Sequence, residues 1–454
     1  MGSTLFPTYH AFRNCTLLDG TRKMRPQEHM SVIWCEDSGT IDAVLPDEDA
    51  QYPTGMGVWD LGGRFVTPGL VNLHAHLAGG GKPASSGDNA ALVAKISQVP
   101  MSDRIGSMLM DGNLREAVQA GVTCVRSAGD PLWGDIRLRD RLDKKGSAPK
   151  LVAAGWGITP TRGHGAGLVA REAETVDDAR RQVREIVEHG ADVVKLFITG
   201  GVYDADAPDT PGRVLMSQEM ADAIVEETHQ LGLPTMAHVE SSDGVRRALL
   251  AGVDSIEHGA PLDDEMLRLF KKNGAGRAST LTCTLSPAVP FCTMPAEKTH
   301  SEPAVKACAD QVFDGMVECA RQALRAGVTV GLGTDAGCPY ISHGDLWREL
   351  VYFDALVAHD PALTLHTATL GNARIIGLEE KLGSIAPGKQ ADMIVLEKNP
   401  LEDLSALRAP FHVVARGRII EHPRPKRDPA LQADLDAAMA QVLAKAEERG
   451  TLVP

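Results

Sequence analysis

The sequence predicts an α/β protein in which a (β/α)8 TIM barrel is inserted into a small β-sandwich domain built from both termini. Two observations lead to this fold class. Short apolar strands and amphipathic helices alternate through the middle of the chain, and such alternation requires parallel strands joined by crossovers. Both ends of the chain are instead β-rich and punctuated by turn residues, and they lack long helices before the last segment.

Eight strand-and-helix units follow one another between residues 66 and 382. The predicted strands are 69–76, 121–130, 149–158, 191–201, 233–241, 253–260, 274–282 and 328–337. Apolar residues at helical spacing mark the segments between them, as in "VDDARRQVREIVEHG", which ends at a glycine. Eight units favour a closed barrel over an open doubly wound sheet, and no G-x-G-x-x-G fingerprint follows an early strand.

These patterns divide the chain into four segments. Residues 1–65 and 383–425 are expected to form the two parts of the small β domain, and residues 66–382 the barrel. The final segment, 426–454, contains "DPALQADLDAAMAQVLAKAEERG", whose apolar residues recur at helical spacing. This segment is expected to be a C-terminal helix.

Composition and charge exclude several classes of partner. The formal net charge of −14 disfavours nucleic acid and anionic membranes, because both attract cationic surfaces. The compact basic stretch 422–429 is broken by prolines and is interpreted as a solvated linker. Eight cysteines are scattered without a C-x-x-C pair, and the chain begins without a secretory pattern. We therefore expect a cytoplasmic protein in a reducing environment.

A histidine pair closes the first predicted strand, in "VTPGLVNLHAHLAGGG" (66–81). Because side chains alternate along a strand, His74 and His76 point to the same face. Two imidazoles that share one space suggest a metal, but a catalytic metal site needs further ligands and an open position. In a barrel, those ligands come from the carboxyl ends of other strands.

Four further metal-capable residues lie in or at the ends of other predicted strands, namely Lys195, His238, His258 and Asp335. Lys195 lies among apolar residues in "VVKLFITGG", and burial lowers the pKa of a lysine. A neutral lysine amine can add carbon dioxide to form a carbamate, whose two oxygens can bridge two metals. Singly, such residues can be core histidines, turn aspartates or paired lysines. The shared register of all six favours a metal centre.

The order His-x-His, Lys, His, His, Asp across a barrel resembles the amidohydrolase superfamily, and more narrowly its imidazolonepropionase-like and Xaa-Pro-dipeptidase-like branch. The resemblance covers nearly the whole chain. It rests on "VTPGLVNLHAH", "VVKLFITGGV", "AHVESSDGVRRALLAGVDSIEHGA", "GLGTDAG" and "LGSIAPGKQADMIVLEKNPLEDL".

This resemblance implies a ligand set for two divalent metal ions. One ion would be held by His74, His76 and Asp335, the second by His238 and His258, with carboxylated Lys195 bridging them. Zinc is expected, although histidine and carboxylate ligands accept several divalent ions. Imidazolonepropionases lack the bridging lysine and use one metal, so the lysine favours the binuclear, peptide-cleaving relatives.

Residues on the barrel loops supply candidates for catalysis. Asp335 is expected to take the proton of the attacking water and pass it to the leaving amine. His164 in "TRGHGAG" and Tyr203 in "GGVYDAD" are also assigned to catalysis, since either could polarise the substrate carbonyl or bind its carboxylate. Arg162 and His343 are weaker candidates. A purely structural role is the alternative for each of these loop residues.

Two loops have open interpretations. The glycine-rich loop 78–92 could form a mobile lid over the site or an ordinary surface loop. The proline-rich insert 284–305 could shape the pocket or an interface.

The expected function is hydrolysis of a linear amide bond in a small carboxylate-bearing substrate, such as a dipeptide, an N-acyl amino acid or a similar aryl or acyl amide. The enzyme is expected to be a homo-oligomer. A hydrolase of cyclic amides, of the imidazolone or hydantoin type, or a deaminase on the same fold is the alternative, because a fold specifies the substrate poorly. A non-enzymatic scaffold is a remote third interpretation, since all six ligands are present.

Overall fold

The computed structural model describes residues 7–83, 89–203, 205, 207, 209–301 and 303–448. Its strands are β1 (Tyr9–Leu17), β2 (Gln27–Cys35), β3 (Thr40–Pro46), β4 (Gly57–Asp60), β5 (Phe65–Pro68), β6 (Leu70–Ala75), β7 (Val122–Ser127), β8 (Lys150–Val152), β9 (Gly157–Pro160), β10 (Ala170–Ala173), β11 (Val194–Phe197), β12 (Thr235–Val239), β13 (Ser255–His258), β14 (Thr280–Cys283), β15 (Val330–Leu332), β16 (Met393–Leu396), β17 (His412–Ala415) and β18 (Arg418–Glu421). Its α-helices are α1 (Asn89–Ser97), α2 (Ser102–Gln119), α3 (Gly134–Lys145), α4 (Val176–Glu188), α5 (Gln218–Gln230), α6 (Ser242–Ala251), α7 (Asp264–Lys271), α8 (Val289–Thr293), α9 (Ala296–Thr299), α10 (Pro303–Arg325), α11 (Leu346–Phe353), α12 (Pro361–His366), α13 (Asn372–Ile375) and α14 (Pro429–Glu448).

Strands β6 to β15 form two parallel sheets, with the orders β6-β7-β8 and β10-β9-β11-β12-β13-β14-β15. Neighbours in both sheets run parallel. Each connection from β11 to β15 contains at least one helix, because the chain must return to the same end of the sheet before it can add a parallel strand. The predicted α/β class with parallel strands is confirmed.

The predicted strand 149–158 is present as two pieces rather than one. β8 pairs with β7 in the first sheet, whereas β9 pairs with β11 in the second. Between them Gly155 has a φ of 65°, a left-handed conformation that interrupts a strand and that glycine adopts without strain. The backbone N–H of Asp192, just before β11, donates to the carbonyl of Ala153 (2.7 Å). The segment between the two pieces therefore connects the two sheets.

Backbone hydrogen bonds also join β6 to the segment that follows β15. The N–H groups of Thr334 and Asp335 donate to the carbonyl of His74, at 3.2 and 2.9 Å. The N–H of His76 donates to the carbonyl of Ala336 (2.6 Å). The first and last parallel strands therefore meet where the predicted metal ligands lie.

The side chain of Asn372, at the start of α13, also joins β6 to β15, nearer the start of β6. It is fully buried and donates to the carbonyls of Val71 (2.7 Å) and Leu332 (2.8 Å). Its carbonyl oxygen accepts from the N–H of Leu332 (2.9 Å). One side chain thus pairs three buried backbone groups on β6 and β15.

Strands from both ends of the chain form a single eight-stranded sheet in the order β18-β17-β16-β5-β1-β2-β3, with β4 also paired to β1. β16 pairs antiparallel with β5, and β5 pairs parallel with β1. Its apolar core contains Phe12, Trp34 and Val414, which come from both terminal segments. The strands expected to form a sandwich share one hydrogen-bonded sheet, because β5 lies between the N-terminal and C-terminal strands and pairs with both.

Polar residues start the helices between the parallel strands. The side-chain oxygens of Thr175, Ser217, Ser241 and Asp263 accept a backbone N–H in the first turns of α4, α5, α6 and α7, as N-caps do. The predicted C-terminal helix is observed as α14. None of the helices in the described ranges is long and apolar enough to cross a membrane.

Replacement of Asn372 by alanine is expected to lower the free energy of unfolding by roughly 2 kcal/mol or more, because unpaired buried backbone groups each cost about 1–3 kcal/mol. Denaturant unfolding of the two proteins measures the difference. Asn89→Ala, at an exposed position on α1, is the matched control and should leave stability unchanged. Equal stability of wild type and Asn372→Ala would contradict the joining role.

Candidate functional site

The first parallel strand brings His74 and His76 together at its carboxyl end. Nδ1 of His74 donates to Oε2 of Glu257 (2.7 Å), and Nδ1 of His76 donates to the carbonyl of Gly129 (2.6 Å). These bonds commit the Nδ1 protons, so the Nε2 lone pairs of both rings are available. The two Nε2 atoms lie 3.3 and 3.2 Å from Oδ1 of Asp335.

This arrangement of Asp335 between two imidazoles fits a bound cation. Two lone pairs that face one carboxylate oxygen repel it unless a proton or a metal ion lies between them. Burial opposes ionisation of Asp335, yet its short contacts with the His74 and His76 rings, which favour a proton or an ion between them, hold its pKa well below the usual range. The ligand atoms of His74, His258 and Asp335 lie within 4.8 Å of one another. Imidazole and carboxylate are donors that suit divalent metals.

His238 is the next-to-last residue of β12, and His258 is the last residue of β13. The ring of His258 lies 4.8 Å from that of His74 and 4.7 Å from that of His238, measured between centroids. Nε2 of His238 donates to the carbonyl of Gly200 (3.2 Å), and Nδ1 of His258 lies 2.6 Å from Oγ1 of Thr284. Burial lowers the pKa of both rings well below the usual value. Each is therefore neutral and retains a nitrogen that can bind a metal.

Strand β11 directs Lys195 into the interior. The side chain is fully buried, and its Nζ has no hydrogen-bond partner within the part of the chain that the structure describes. Nζ lies 4.9 Å from the ring centroid of Phe197. Burial lowers the pKa of this amine to about 8, although Glu257 and Asp335 oppose the change. A buried amine without a partner is costly, and a carbamate or a metal contact would relieve that cost.

The structure adds a residue that the sequence did not single out, Glu257. Its Oε1 accepts from Nη2 of the buried Arg126 (2.9 Å), while its Oε2 accepts from His74. Burial opposes ionisation of Glu257, but the guanidinium of Arg126 and the hydrogen bond from His74 lower its pKa to about 2. A carboxylate behind a metal-binding histidine orients the ring and raises its basicity. In the sequence, Arg126 and Glu257 are charged residues within otherwise apolar strands, and the same pattern identified Lys195.

Both predicted catalytic loop residues lie beside this cluster. The ring of His164 stacks on that of His238, with centroids 4.3 Å apart and planes 21° apart. The hydroxyl of Tyr203 donates to the carbonyl of Pro287 (3.3 Å), and its ring packs edge-on against Phe291. Both side chains are partly buried, so each lies at the rim of the cluster.

The two weaker candidates lie differently. Arg162 is exposed and has a φ of 57°, and its backbone N–H donates to Glu172 (2.5 Å). This contact does not bring the side chain of Arg162 to the cluster. Nε2 of His343 donates to the carbonyl of Gly79 (2.9 Å), so this histidine fastens the glycine-rich segment to the loop after β15.

The start of the glycine-rich loop packs closely against the chain that follows β15. A Cβ atom on Gly79 would lie 2.1 Å from the carbonyl oxygen of Gly337, and one on Gly81 would lie 2.3 Å from that of Ile341. Positions 79 and 81 therefore need glycine for close backbone contact. Of the predicted lid 78–92, residues 84–88 lie outside the described residues, and residues 89–92 begin α1.

The proline-rich insert 284–305 borders the site through three of its residues. Thr284 contacts His258, Pro287 accepts the hydroxyl of Tyr203, and Phe291 packs on the ring of the same tyrosine. The buried carboxylate of Glu349 accepts the N–H groups of Leu285 (2.6 Å) and Ser286 (2.8 Å). The insert is thus held in place beside the histidines; Glu302 lies outside the described residues.

Residues 65–422 match the model of the Amidohydrolase family. Among characterised relatives, the chain is similar to ochratoxinase from Aspergillus niger. The two are 28% identical over 386 residues, which is 79% of this chain and 76% of the ochratoxinase.

Two crystal structures are also similar. A protein provisionally assigned as a prolidase, from Bifidobacterium longum, superposes with a TM-score of 0.83 at 34% identity, over 95% of this chain and 99% of that chain. A prolidase complexed with N-methylphosphonate-L-proline superposes with a TM-score of 0.76 at 25% identity, over 91% of this chain and all of the other (100%).

Replacement of Glu257 by glutamine is expected to lower divalent-metal affinity by about 10- to 100-fold, the usual effect of losing a carboxylate behind a ligating histidine. The variant keeps the side-chain volume and removes the charge. Competition with a chelator measures the affinity, and circular dichroism verifies folding, since Arg126 loses its buried partner. Glu265→Gln, at an exposed position, should bind metal as the wild type does. Unchanged affinity in folded Glu257→Gln would contradict the orienting role.

Proposed function

This chain belongs to the amidohydrolase family, and we propose that it is a binuclear metal-dependent hydrolase that cleaves a linear amide bond in a small carboxylate-bearing substrate. That it is a hydrolase acting on carbon–nitrogen bonds follows from the family and its hydrolytic relatives. The observation that carries the finer proposal is the fully buried Lys195 amine, which lies near Asp335 and near three histidines, His76, His238 and His258.

We propose His74, His76 and Asp335 as ligands of the first ion and His238 and His258 as ligands of the second, with carboxylated Lys195 between them. The tautomers support this division. His74 and His76 keep Nε2 lone pairs near Asp335, whereas His238 donates through Nε2 and keeps its Nδ1. Zinc is the expected metal in both positions.

We also propose that β6 to β15 complete the closed (β/α)8 barrel. The backbone bonds from residues 334–336 to β6, and the bond between Asp192 and Ala153, support closure on both sides. The domain boundaries are proposed as predicted, at 1–65, 66–382, 383–425 and 426–454. β5 (Phe65–Pro68) belongs to the terminal sheet. The first boundary, between residues 65 and 66, therefore falls within this strand.

When bound, two divalent ions would lower the pKa of a water molecule towards neutrality and polarise the scissile carbonyl. Asp335 lies at the centre of the cluster, where its carboxylate can accept the proton of the attacking water. It then delivers that proton to the leaving nitrogen, because an amine leaves only after protonation. The backbone N–H of Asp335 donates to the carbonyl of His74, and this bond holds the residue in position.

His164 and Tyr203 are proposed as the groups that contact the substrate. His164 can donate from its place beside His238 to the carbonyl oxygen or to a substrate carboxylate. The Tyr203 hydroxyl can donate from the opposite loop once it leaves the carbonyl of Pro287. The similar prolidase structure holds N-methylphosphonate-L-proline, a molecule with an amino-acid carboxylate, which supports a substrate of this class.

The remaining expectations concern the protein's surroundings. A homo-oligomer and a cytoplasmic location both stay predictions, as does the absence of nucleic-acid and membrane partners. Light scattering during size-exclusion chromatography measures the oligomeric state directly.

Metal-replete protein is expected to contain two divalent ions per chain and a carbamate on Lys195. Elemental analysis counts the ions, and native mass spectrometry detects the added carbon dioxide. Lys195→Met, which keeps the length of the side chain without an amine, should lose the modification and at least one ion. Lys95→Met, at an exposed position on α1, is the control. A single ion with an unmodified amine in wild type would contradict the binuclear proposal.

A hydrolysis screen of metal-replete enzyme is expected to find a dipeptide, an N-acyl amino acid or a similar aryl or acyl amide turned over faster than hydantoins, imidazolones or aminated rings. Asp335→Asn should lower turnover of the best substrate by about 10²- to 10⁴-fold, the usual contribution of general acid–base catalysis. Asp310→Asn, at an exposed position on α10, should not. Faster turnover of cyclic amides or aminated rings would overturn the linear-amide assignment and leave the metallohydrolase intact.

A further inference from the structure

We infer that the thiol of Cys338 is an additional metal ligand at the first metal position, one that the predicted set of six residues does not include. The inference rests on the proposed function in one respect, namely that a divalent ion binds at His76 and Asp335. It concerns a residue of the loop after β15 that the mechanism above does not use.

The first observation is a group of three donors. The ligand atoms of His76, Asp335 and Cys338 all lie within 4.8 Å of one another. A tetrahedral zinc ion with bonds of about 2.0–2.3 Å places its ligand atoms about 3–4 Å apart. Small rotations of these side chains would therefore bring all three onto one ion.

The second observation is the turn that delivers the thiol to this position. Asp335 and Gly337 have φ values of 59° and 101°, and the N–H of Cys338 donates back to the carbonyl of Asp335 (3.2 Å). A Cβ atom on Gly337 would lie 1.9 Å from the carbonyl oxygen of His76. The backbone between Asp335 and Cys338 thus folds tightly onto the first strand, and it returns the thiol to the carboxylate.

The third observation concerns Lys195 and Tyr203, two further side chains near the thiol. The fully buried Nζ of Lys195 has no hydrogen-bond partner among the described residues, and it lies close enough to Cys338 for an electrostatic interaction. The hydroxyl of Tyr203 lies within hydrogen-bonding reach of the thiol. A buried unpaired amine, a carboxylate and the imidazole of His76 around one thiol are the surroundings of a cation site rather than of an apolar core.

Exposure separates Cys338 from the other cysteines. Seven of the eight cysteines are buried, whereas Cys338 is partly exposed. The buried cysteines act as small apolar side chains. Cys338 is therefore accessible to an ion that enters the site, and its thiol proton can leave to solvent as the sulfur–metal bond forms.

A thiolate in the ligand set would change metal preference. Thiolate is a soft donor that favours zinc, cadmium and cobalt over manganese and magnesium, whereas imidazole and carboxylate discriminate less. The loop after β15 would then set the metal selectivity of the enzyme, while the strand ends supply the ligands that all the competing ions accept.

Titration of metal-free protein with Co²⁺ tests this inference. Visible d–d absorption reports binding of the ion, and a near-ultraviolet sulfur-to-cobalt charge-transfer band reports the thiolate. Wild type should show both signals. Cys338→Ser and Cys338→Ala should keep the visible bands and lose the charge-transfer band, and Cys35→Ser, in the terminal sheet, should keep both. Cd²⁺ affinity should fall about tenfold or more in Cys338→Ser, with Mn²⁺ affinity unchanged.

The outcomes distinguish the two proposals. Visible bands without a charge-transfer band in wild type, or an equal charge-transfer band in Cys338→Ser and Cys338→Ala, would overturn the role of Cys338 and leave the metal centre standing. Absence of any Co²⁺ binding to folded wild type would overturn the metal centre and this inference together.

Discussion

The interior between the parallel sheets depends on the contacts of the buried Glu257 carboxylate. This carboxylate neutralises the guanidinium of Arg126 and orients the ring of His74, which otherwise would have no fixed tautomer. Removing one partner of a buried ion pair leaves an uncompensated charge, which is far costlier than never having the pair. Because the buried Lys195 also lies near Glu257 and Arg126, a change in the candidate site also changes the interior between the parallel sheets. The stability of the fold and the proposed catalytic site share these side chains.

Backbone conformation at the strand ends completes the site. His258 and Asp335 both have positive φ values, 69° and 59°, which are uncommon for residues with a side chain. Such conformations cost of order 1–3 kcal/mol and persist where the surroundings enforce them. Here the backbone bonds to β6 hold Asp335, and the Thr284 contact holds His258. In these conformations both side chains lie beside the ring of His74.

The terminal sheet is directly connected along the chain to β6, the strand that carries His74. β5 belongs to that sheet, and only Gly69 separates it from β6, which ends with the two histidines. The N–H of Gly69 donates to the carbonyl of Asp392, directly before β16 (2.9 Å). The terminal sheet, which has its own apolar core, is therefore attached to the start of the strand that carries His74 and His76.

Local pattern in the sequence determined the alternation of strands and helices, the pairing of both termini in one β region, and the placement of six metal-capable residues at strand ends. Strand and helix periods are local properties, so they can be read from neighbouring residues. The family and the hydrolytic class are confirmed; the individual site residues stay predictions.

Only the tertiary structure decided which charged side chains contact one another. Arg126 and Glu257 are 131 positions apart, and no local period relates them. The split of strand 149–158, the single terminal sheet and the return of Cys338 to Asp335 depend likewise on long-range hydrogen bonds and left-handed turns, which a periodic pattern does not encode.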